Sequence, residues 1–146
     1  MKAKIINSKL THEIRGKILW PHILDGDYSI AIDDHPNTFH IGTFLHNKII
    51  SVGTFIRENN SIFKEKLQYR LRAMATDNRN QGQGAGKILF LKGVELLKKK
   101  KIELLWCDAR INAIPFYESL SMKSRDKLYM IKNIGMHKTM YIHLNK

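Results

Sequence analysis

Gly82, Gly84 and Gly86 alternate within the segment Thr76-Asp77-Asn78-Arg79-Asn80-Gln81-Gly82-Gln83-Gly84-Ala85-Gly86-Lys87. Residues without a Cβ let the backbone come close to a ligand. Where such a turn opens a helix, the free first-turn amides and the helix dipole favour an anion, with phosphate the obvious guest. A P-loop would need glycine in place of Gln81 and Ser or Thr in place of Ile88, so it fails twice. The dinucleotide spacing G-x-G-x-x-G fails too, because Lys87 follows Gly82 and Gly84 where the third glycine belongs, and Leu89 follows Gly84 and Gly86. Cys107 is the chain's one cysteine and has no base beside it in sequence, so it reads as a buried strand residue rather than a nucleophile.

The glycine turn has to be held between a strand and a helix. Leu67 to Thr76 reads as the strand, and Gly84 to about Lys100 as the helix, with Ile88, Leu91, Val94 and Leu97 as its apolar stripe. Lys98 to Lys101 then falls at the helix C-terminus, where the macrodipole favours positive charge. Upstream, Lys2 to Ile6 is expected as a short strand and Thr11 to Trp20 as a helix N-capped by Thr11. Asp25 to Asn37 is expected as a loop with an extended piece at Tyr28 to Ile32. Phe39 to Leu45 and Lys48 to Ile56 form a hairpin about the turn pair His46-Asn47. Downstream, Ile102 to Ala109 is apolar on both faces, as a buried parallel strand would be. Asn112 to Leu120 is expected as a short helix, and Arg125 to Ile131 and Lys138 to Leu144 as closing strands. The order predicts one α/β domain over residues 1–146 with a mixed sheet.

With the two nucleotide motifs excluded, the pattern Gln/Arg-x-x-Gly-x-Gly/Ala remains, met by Gln81, Gly84 and Gly86, or in a shifted register by Arg79, Gly82 and Gly84. This resembles the pyrophosphate motif of the GNAT acetyltransferases, and the Gln81 register places the first apolar helical turn where such helices carry it. The resemblance continues through Leu71-Arg72-Ala73-Met74-Ala75-Thr76, through Trp106-Cys107-Asp108-Ala109-Arg110, and through Ala113-Ile114-Pro115-Phe116-Tyr117-Glu118. Ser121-Met122 stands where the family commonly has Gly-Phe. Glu13-Ile14-Arg15, Leu19-Trp20-Pro21 and Ile134-Gly135-Met136-His137 are similar to a bacterial subgroup.

The resemblance implies a mostly antiparallel mixed sheet flanked by helices and splayed between its fourth and fifth strands. The cofactor it implies is acetyl-CoA, cradled by Gln81, Gly82, Gln83, Gly84, Ala85, Gly86 and Lys87. Gly84 and Gly86 are expected to be the least replaceable of these. Backbone groups of Met74 and Thr76 would pair with the pantetheine arm, and an amide near Met74 or Ala75 would stabilise the oxyanion. Tyr117 coincides with the family tyrosine that returns a proton to the departing thiolate. For the base, Asp108, His137 and His40 all stand open; Asp108 could hold an ammonium, and a histidine's near-neutral pKa suits the task. The acceptor implied is a primary amine of a small molecule or peptide, and a homodimer is compatible with it.

Composition sets the outer limits. The chain has 146 residues, 43% of them hydrophobic, enough for a buried core. Its apolar runs fall short of the roughly 20 residues a membrane span needs. One cysteine fits a reducing cytoplasm, and the seven histidines form no helical metal-ligand pair. The net charge of +12 would attract anions. Its basic residues are spread along the chain, without the clustered arginines and stacking aromatics of a nucleic-acid or ribosome-associated module. A sensor that binds acyl-CoA without turnover is the other alternative.

Overall fold

The computed structural model describes residues 1–24, 26–131 and 135–145, and of residues 126 and 127 the backbone alone. Among the described residues seven strands form one sheet in the order β1-β2-β3-β4-β5-β7-β6. They are β1 (Lys2–Ile6), β2 (Phe39–Leu45), β3 (Lys48–Ile56), β4 (Gln68–Thr76), β5 (Leu104–Arg110), β6 (Lys123–Ile131) and β7 (Gly135–His143). The sheet is mixed. β1–β2, β2–β3, β5–β7 and β6–β7 pair antiparallel, while β4 and β5 run parallel, with Gln68 opposite Leu104 and Arg70 opposite Trp106. The helices are α1 (His12–Ile14), α2 (Ala85–Lys99) and α3 (Ile114–Ser119). No helix among the described residues is long and apolar enough to cross a membrane.

The chain divides into two compact units. The first comprises Met1–Arg57 and Leu71–Leu96. Its hairpin turns at His46 and Asn47, with φ of 51° and 66°, the left-handed pair of a type I′ turn. One sheet face buries Ile6, Ile14, Val52 and Ala75, with Ile18, Leu19, Phe44 and Ile49 packed around them. α2 comes close enough that a Cβ on Gly93 would lie 2.2 Å from Phe55 Cζ. A mid-helix glycine, ordinarily a cost of about 0.5–1 kcal/mol, is what permits that approach.

The first helical stretch differs from expectation. It begins at Ser8 with a 3₁₀ turn (Ser8–Thr11), passes through α1 and ends in a π turn (Arg15–Leu19). Asn7 is the cap, its side chain accepting from the Lys9 amide at 3.0 Å. Thr11 is buried and donates back to the Ser8 carbonyl, so it caps nothing. Within residues 26–37 the piece expected to be extended forms no strand: residues 26–30 have no regular structure, residues 31–34 turn, and Tyr28 has φ 59°. A buried cluster overrides local propensity there. Arg15 Nη1 donates to the Tyr28 carbonyl, and both its terminal nitrogens bond the Asp33 carboxylate.

The apolar stripe of α2 is also displaced. Leu91 is half exposed, and the buried face is Ala85, Leu89, Phe90, Gly93 and Leu97. A repeat of three drifts about 60° around the helix at each step, whereas the 89–93–97 repeat stays on one side.

The second unit comprises Glu58–Arg70 and Leu97–Lys146. Leu104, Leu105, Cys107, Ala109 and Met140 are buried in it. α3 ends in a Schellman motif, in which Met122 N–H donates to the Tyr117 carbonyl and Ser121 N–H to that of Glu118. Ser121 has φ 71°, so the residue standing where the family has glycine adopts the conformation that favours glycine. α2 ends the same way, with Lys101 at φ 63°.

Candidate functional site

In the first unit, the turn from β4 to α2 is braced from several sides. Asp77 is buried. Its backbone N–H donates to Ile50, and its carboxylate accepts from the Arg79 amide at 3.1 Å and from Lys17 Nζ at 3.1 Å. The Arg79 amide and the Lys17 ammonium hold its carboxyl below the usual range. The Gln81 side chain donates to the Thr76 carbonyl and to Asn78 Oδ1, so it stabilises the turn itself. Ser51 donates to the Ala75 carbonyl and shares a 3.0 Å bond with the Thr76 hydroxyl.

The three glycines of the turn differ in backbone conformation. Gly82 and Gly84 have φ of 77° and 91°, and a Cβ on either would meet nothing within 4 Å. Gly86 lies inside α2, so among the three glycines left-handed backbone falls on Gly82 and Gly84. The first bond of the helix runs from Ile88 N–H to the Gly84 carbonyl. The amides of Ala85, Gly86 and Lys87 therefore have no helical partner four residues back. Thr43 fixes this end by donating to the Ala85 carbonyl at 2.9 Å. Open space, left-handed glycines and a 15-residue helix N-terminus fit a pyrophosphate. Earlier in β4, Ala73 at φ 53° interrupts the extended backbone just before Met74.

In the second unit, β5 sorts the remaining candidates by face. Trp106, Asp108 and Arg110 point to one side, Cys107 and Ala109 to the other. Asp108 accepts from Arg70 Nη2 at 2.9 Å and from the Tyr129 hydroxyl. Arg70 also bonds Glu58 and lies over the Trp106 ring at 5.0 Å. His137 pairs with Arg110 across the β5–β7 ladder and with Tyr129 across the β6–β7 ladder, so these three share a face with Asp108. The rings of Tyr129 and His137 stack with centroids 6.1 Å apart. His137 Nδ1 lies 2.8 Å from the Gly135 carbonyl. A carbonyl only accepts, so Nδ1 carries the hydrogen, and in the neutral ring Nε2 holds the basic lone pair. Ile134, quoted with His137 in the sequence motif, lies outside the described residues.

Two candidate bases are thus brought together around a residue the sequence did not single out. Tyr117 is buried among the residues of the opposite face. Burial foremost, and the neighbouring Cys107, raise its phenol well above the ordinary value, so it is fully protonated at neutral pH. Burial and the Asp108 charge likewise push the Cys107 thiol up, which suits an inert core residue. His40 belongs to the first unit, where Nδ1 bonds Thr54 and Nε2 the Asp33 carbonyl. With both ring nitrogens engaged inside a buried network, it is a structural residue. Asp77 and Lys17 beside the glycine turn, and Arg70 and Tyr129 beside Asp108, are neighbours of the candidates that sequence reasoning passed over. The motif itself contains Asp77; the other three are placed by tertiary contacts.

The family model described as "Acetyltransferase (GNAT) family" matches residues 9–122. An uncharacterised N-acetyltransferase of Bacillus subtilis strain 168, YitI, is 31% identical over 141 residues, covering 97% of this chain and 95% of its own. Among solved structures, an aminoglycoside 6'-N-acetyltransferase complexed with coenzyme A superposes with a TM-score of 0.80 at 9% identity, covering 100% of this chain and 98% of that one. The ribosomal-protein-S18-alanine N-acetyltransferase of Escherichia coli gives 0.74 at 17%, covering 99% and 95%.

Proposed function

Because the chain belongs to the GNAT acetyltransferase family, we propose that it moves an acetyl group from acetyl-CoA to a primary amine by direct transfer within a ternary complex. The observation that carries the reading is the β4–α2 turn. Two left-handed glycines beside open space, followed by three helix-start amides, have the features that favour an anion such as a pyrophosphate. The cofactor supplies an acetyl thioester when bound. Gly82 to Lys87 hold its pyrophosphate, and backbone of Met74 and Thr76 receives its pantetheine arm. The amide of Met74 or Ala75, re-aimed by the break at Ala73, meets charge developing on the carbonyl oxygen.

On the acceptor side, both Asp108 oxygens already accept hydrogen bonds, so Asp108 suits holding an ammonium better than taking its proton. His137 takes the proton at Nε2. Tyr117 donates to the departing sulfur. Direct transfer is supported by Cys107, the one thiol in the chain, which is buried and held protonated and so unfit to carry an acyl group. The acceptor is a small molecule or a peptide. Fold relatives named for each kind are compatible with both. A cytoplasmic location is part of this proposal and is supported by the single cysteine, which fits a reducing compartment.

The test is CoA release, followed with a thiol reagent, across a panel of amines and amino-terminal peptides. At least one acceptor should give intersecting initial-rate lines. Parallel lines together with an acetylated protein would overturn direct transfer, and the absence of release with every acceptor would overturn the enzyme reading.

A further inference from the structure

Tyr129 touches both candidate groups of the acceptor side. Its hydroxyl donates to Asp108 Oδ1, its ring stacks on His137, and the Thr139 hydroxyl lies 3.4 Å from its oxygen. A shift in the β6–β7 ladder puts it there. Arg125 pairs with Thr139, and after the irregularity Tyr129 pairs with His137, so four steps along β6 match two along β7. Bulges of this kind re-aim a side chain and are common beside active sites. Tyr129 is half-buried, Asp108 is partly open to solvent, and His137 is almost covered.

We infer that Tyr129 is a positioning residue for the acceptor amine, orienting the Asp108 carboxylate with its hydroxyl and fixing the His137 ring with its own. The inference rests on the acetyltransferase reading above. Arg70 alone would leave Asp108 Oδ1 free to swing, since it engages only Oδ2. The phenol closes the other side, and the carboxylate then has one orientation in which to meet an ammonium. The hydroxyl is committed as a donor and is held protonated. Burial first, then the bond to Asp108, raise its pKa to about 12. Tyr129 therefore exchanges no proton in turnover, and its effect reaches the acceptor through Asp108 and His137.

Two substitutions separate the two contacts. Tyr129→Phe keeps the ring and removes the hydroxyl, so the acceptor KM should rise about tenfold, the loss expected for one hydrogen bond to a charged group, with kcat within about threefold. Tyr129→Leu also releases His137, so kcat should fall about a further tenfold. A residue that merely supports the fold would lower the melting temperature without that split. Carbon-13 labelling of the tyrosine ring checks the contact on the chain alone, since Asp108→Asn should lower the Tyr129 titration midpoint from about 12. An unchanged midpoint overturns the contact. Wild-type KM and kcat in Tyr129→Phe overturn the positioning role and leave the acetyltransferase reading intact. No release by the wild-type chain with any amine overturns that reading, and the role of Tyr129 with it.

Discussion

Arg15 and Asp33 form a two-pronged ion pair inside the first unit, Nη1 to Oδ2 at 2.7 Å and Nη2 to Oδ1 at 2.8 Å, with the Arg15 side chain fully buried. Thr54 and the Tyr28 carbonyl take further hydrogens of the guanidinium, and His40 bonds Thr54 and the Asp33 backbone. The pair therefore fastens residues 28–33 to the π turn and to β3. Burial by itself would raise the Asp33 carboxyl, but the Arg15 bond and the Ile30 amide outweigh it, and the net shift is downward.

Asp33→Asn should destabilise the chain by about 3–5 kcal/mol, because it strands a buried guanidinium. A drop in urea midpoint is the measurement, and a loss under about 1 kcal/mol would show that the pair is dispensable. The depressed carboxyl also sets the sign of the pH dependence. Its contribution is present above the unfolded aspartate pKa of about 3.9 and is lost as pH falls through the lower folded value. Acid unfolding of the wild type should therefore be steeper below about pH 4 than that of the Asn variant.

Gly84→Asp should abolish acetyl-CoA binding while the chain stays folded. The new side chain would occupy the open space at φ 91° and set a carboxylate against the phosphates. Gly84→Ala isolates the backbone cost, about 1–2 kcal/mol for a left-handed residue. Isothermal calorimetry reads both, and wild-type affinity in Gly84→Asp would sink the cofactor site. Gly86→Ala should be milder than Gly84→Ala, since Gly86 already has helical backbone.

Ser121→Gly and Lys101→Gly should each stabilise by about 0.5–1 kcal/mol, because both side chains sit at the left-handed position after a helix. The sites close different helices, so the double variant should be close to the sum. Thermal unfolding of the three variants tests this, and a lower melting temperature for Ser121→Gly would show that the serine side chain makes up for its strain.

What the sequence displayed and what it hid divide along physical lines. The strand–turn–helix around the glycines was legible because its signals are local: glycine, helix start and strand end follow one another within a dozen residues. The His46-Asn47 hairpin was legible for the same reason. Tyr129 was not, because a ladder irregularity between Arg125 and Tyr129 decides its partner, and strand register is set by pairing rather than by β6 alone. Likewise, Thr11 offered the right chemistry for a cap, but Asn7 lies where the helical turns begin. Nothing between Arg15 and Asp33 announced that Tyr28 would take a left-handed turn, since the guanidinium that holds its carbonyl arrives from another element. Asp108 and His137 were chosen separately by residue type, and only the β5–β7–β6 register shows that one tyrosine touches both.

Tyr117→Phe tests the other end of the reaction. The phenol is buried and its pKa is well above 10, so at neutral pH it always has a proton to donate. The same shift makes complete transfer to a thiolate of pKa near 8.5 uphill, and favours a strong hydrogen bond to the sulfur as charge builds on it. Loss of the hydroxyl should then lower kcat by about 100- to 1,000-fold, the scale of one donor aimed at developing charge, with acetyl-CoA affinity nearly unchanged. The ring stays, so its edge contact with Phe116 and the packing of α3 should survive, which Tyr117→Ala would confound with a cavity. No limb of the pH profile near neutrality should belong to Tyr117, because its titration lies far above that range. Single-turnover rates on an identified acceptor isolate the chemical step from product release. If Tyr117→Phe keeps the full single-turnover rate, the tyrosine has no part in expelling the thiolate, and water or the amine-side residues must supply the proton instead.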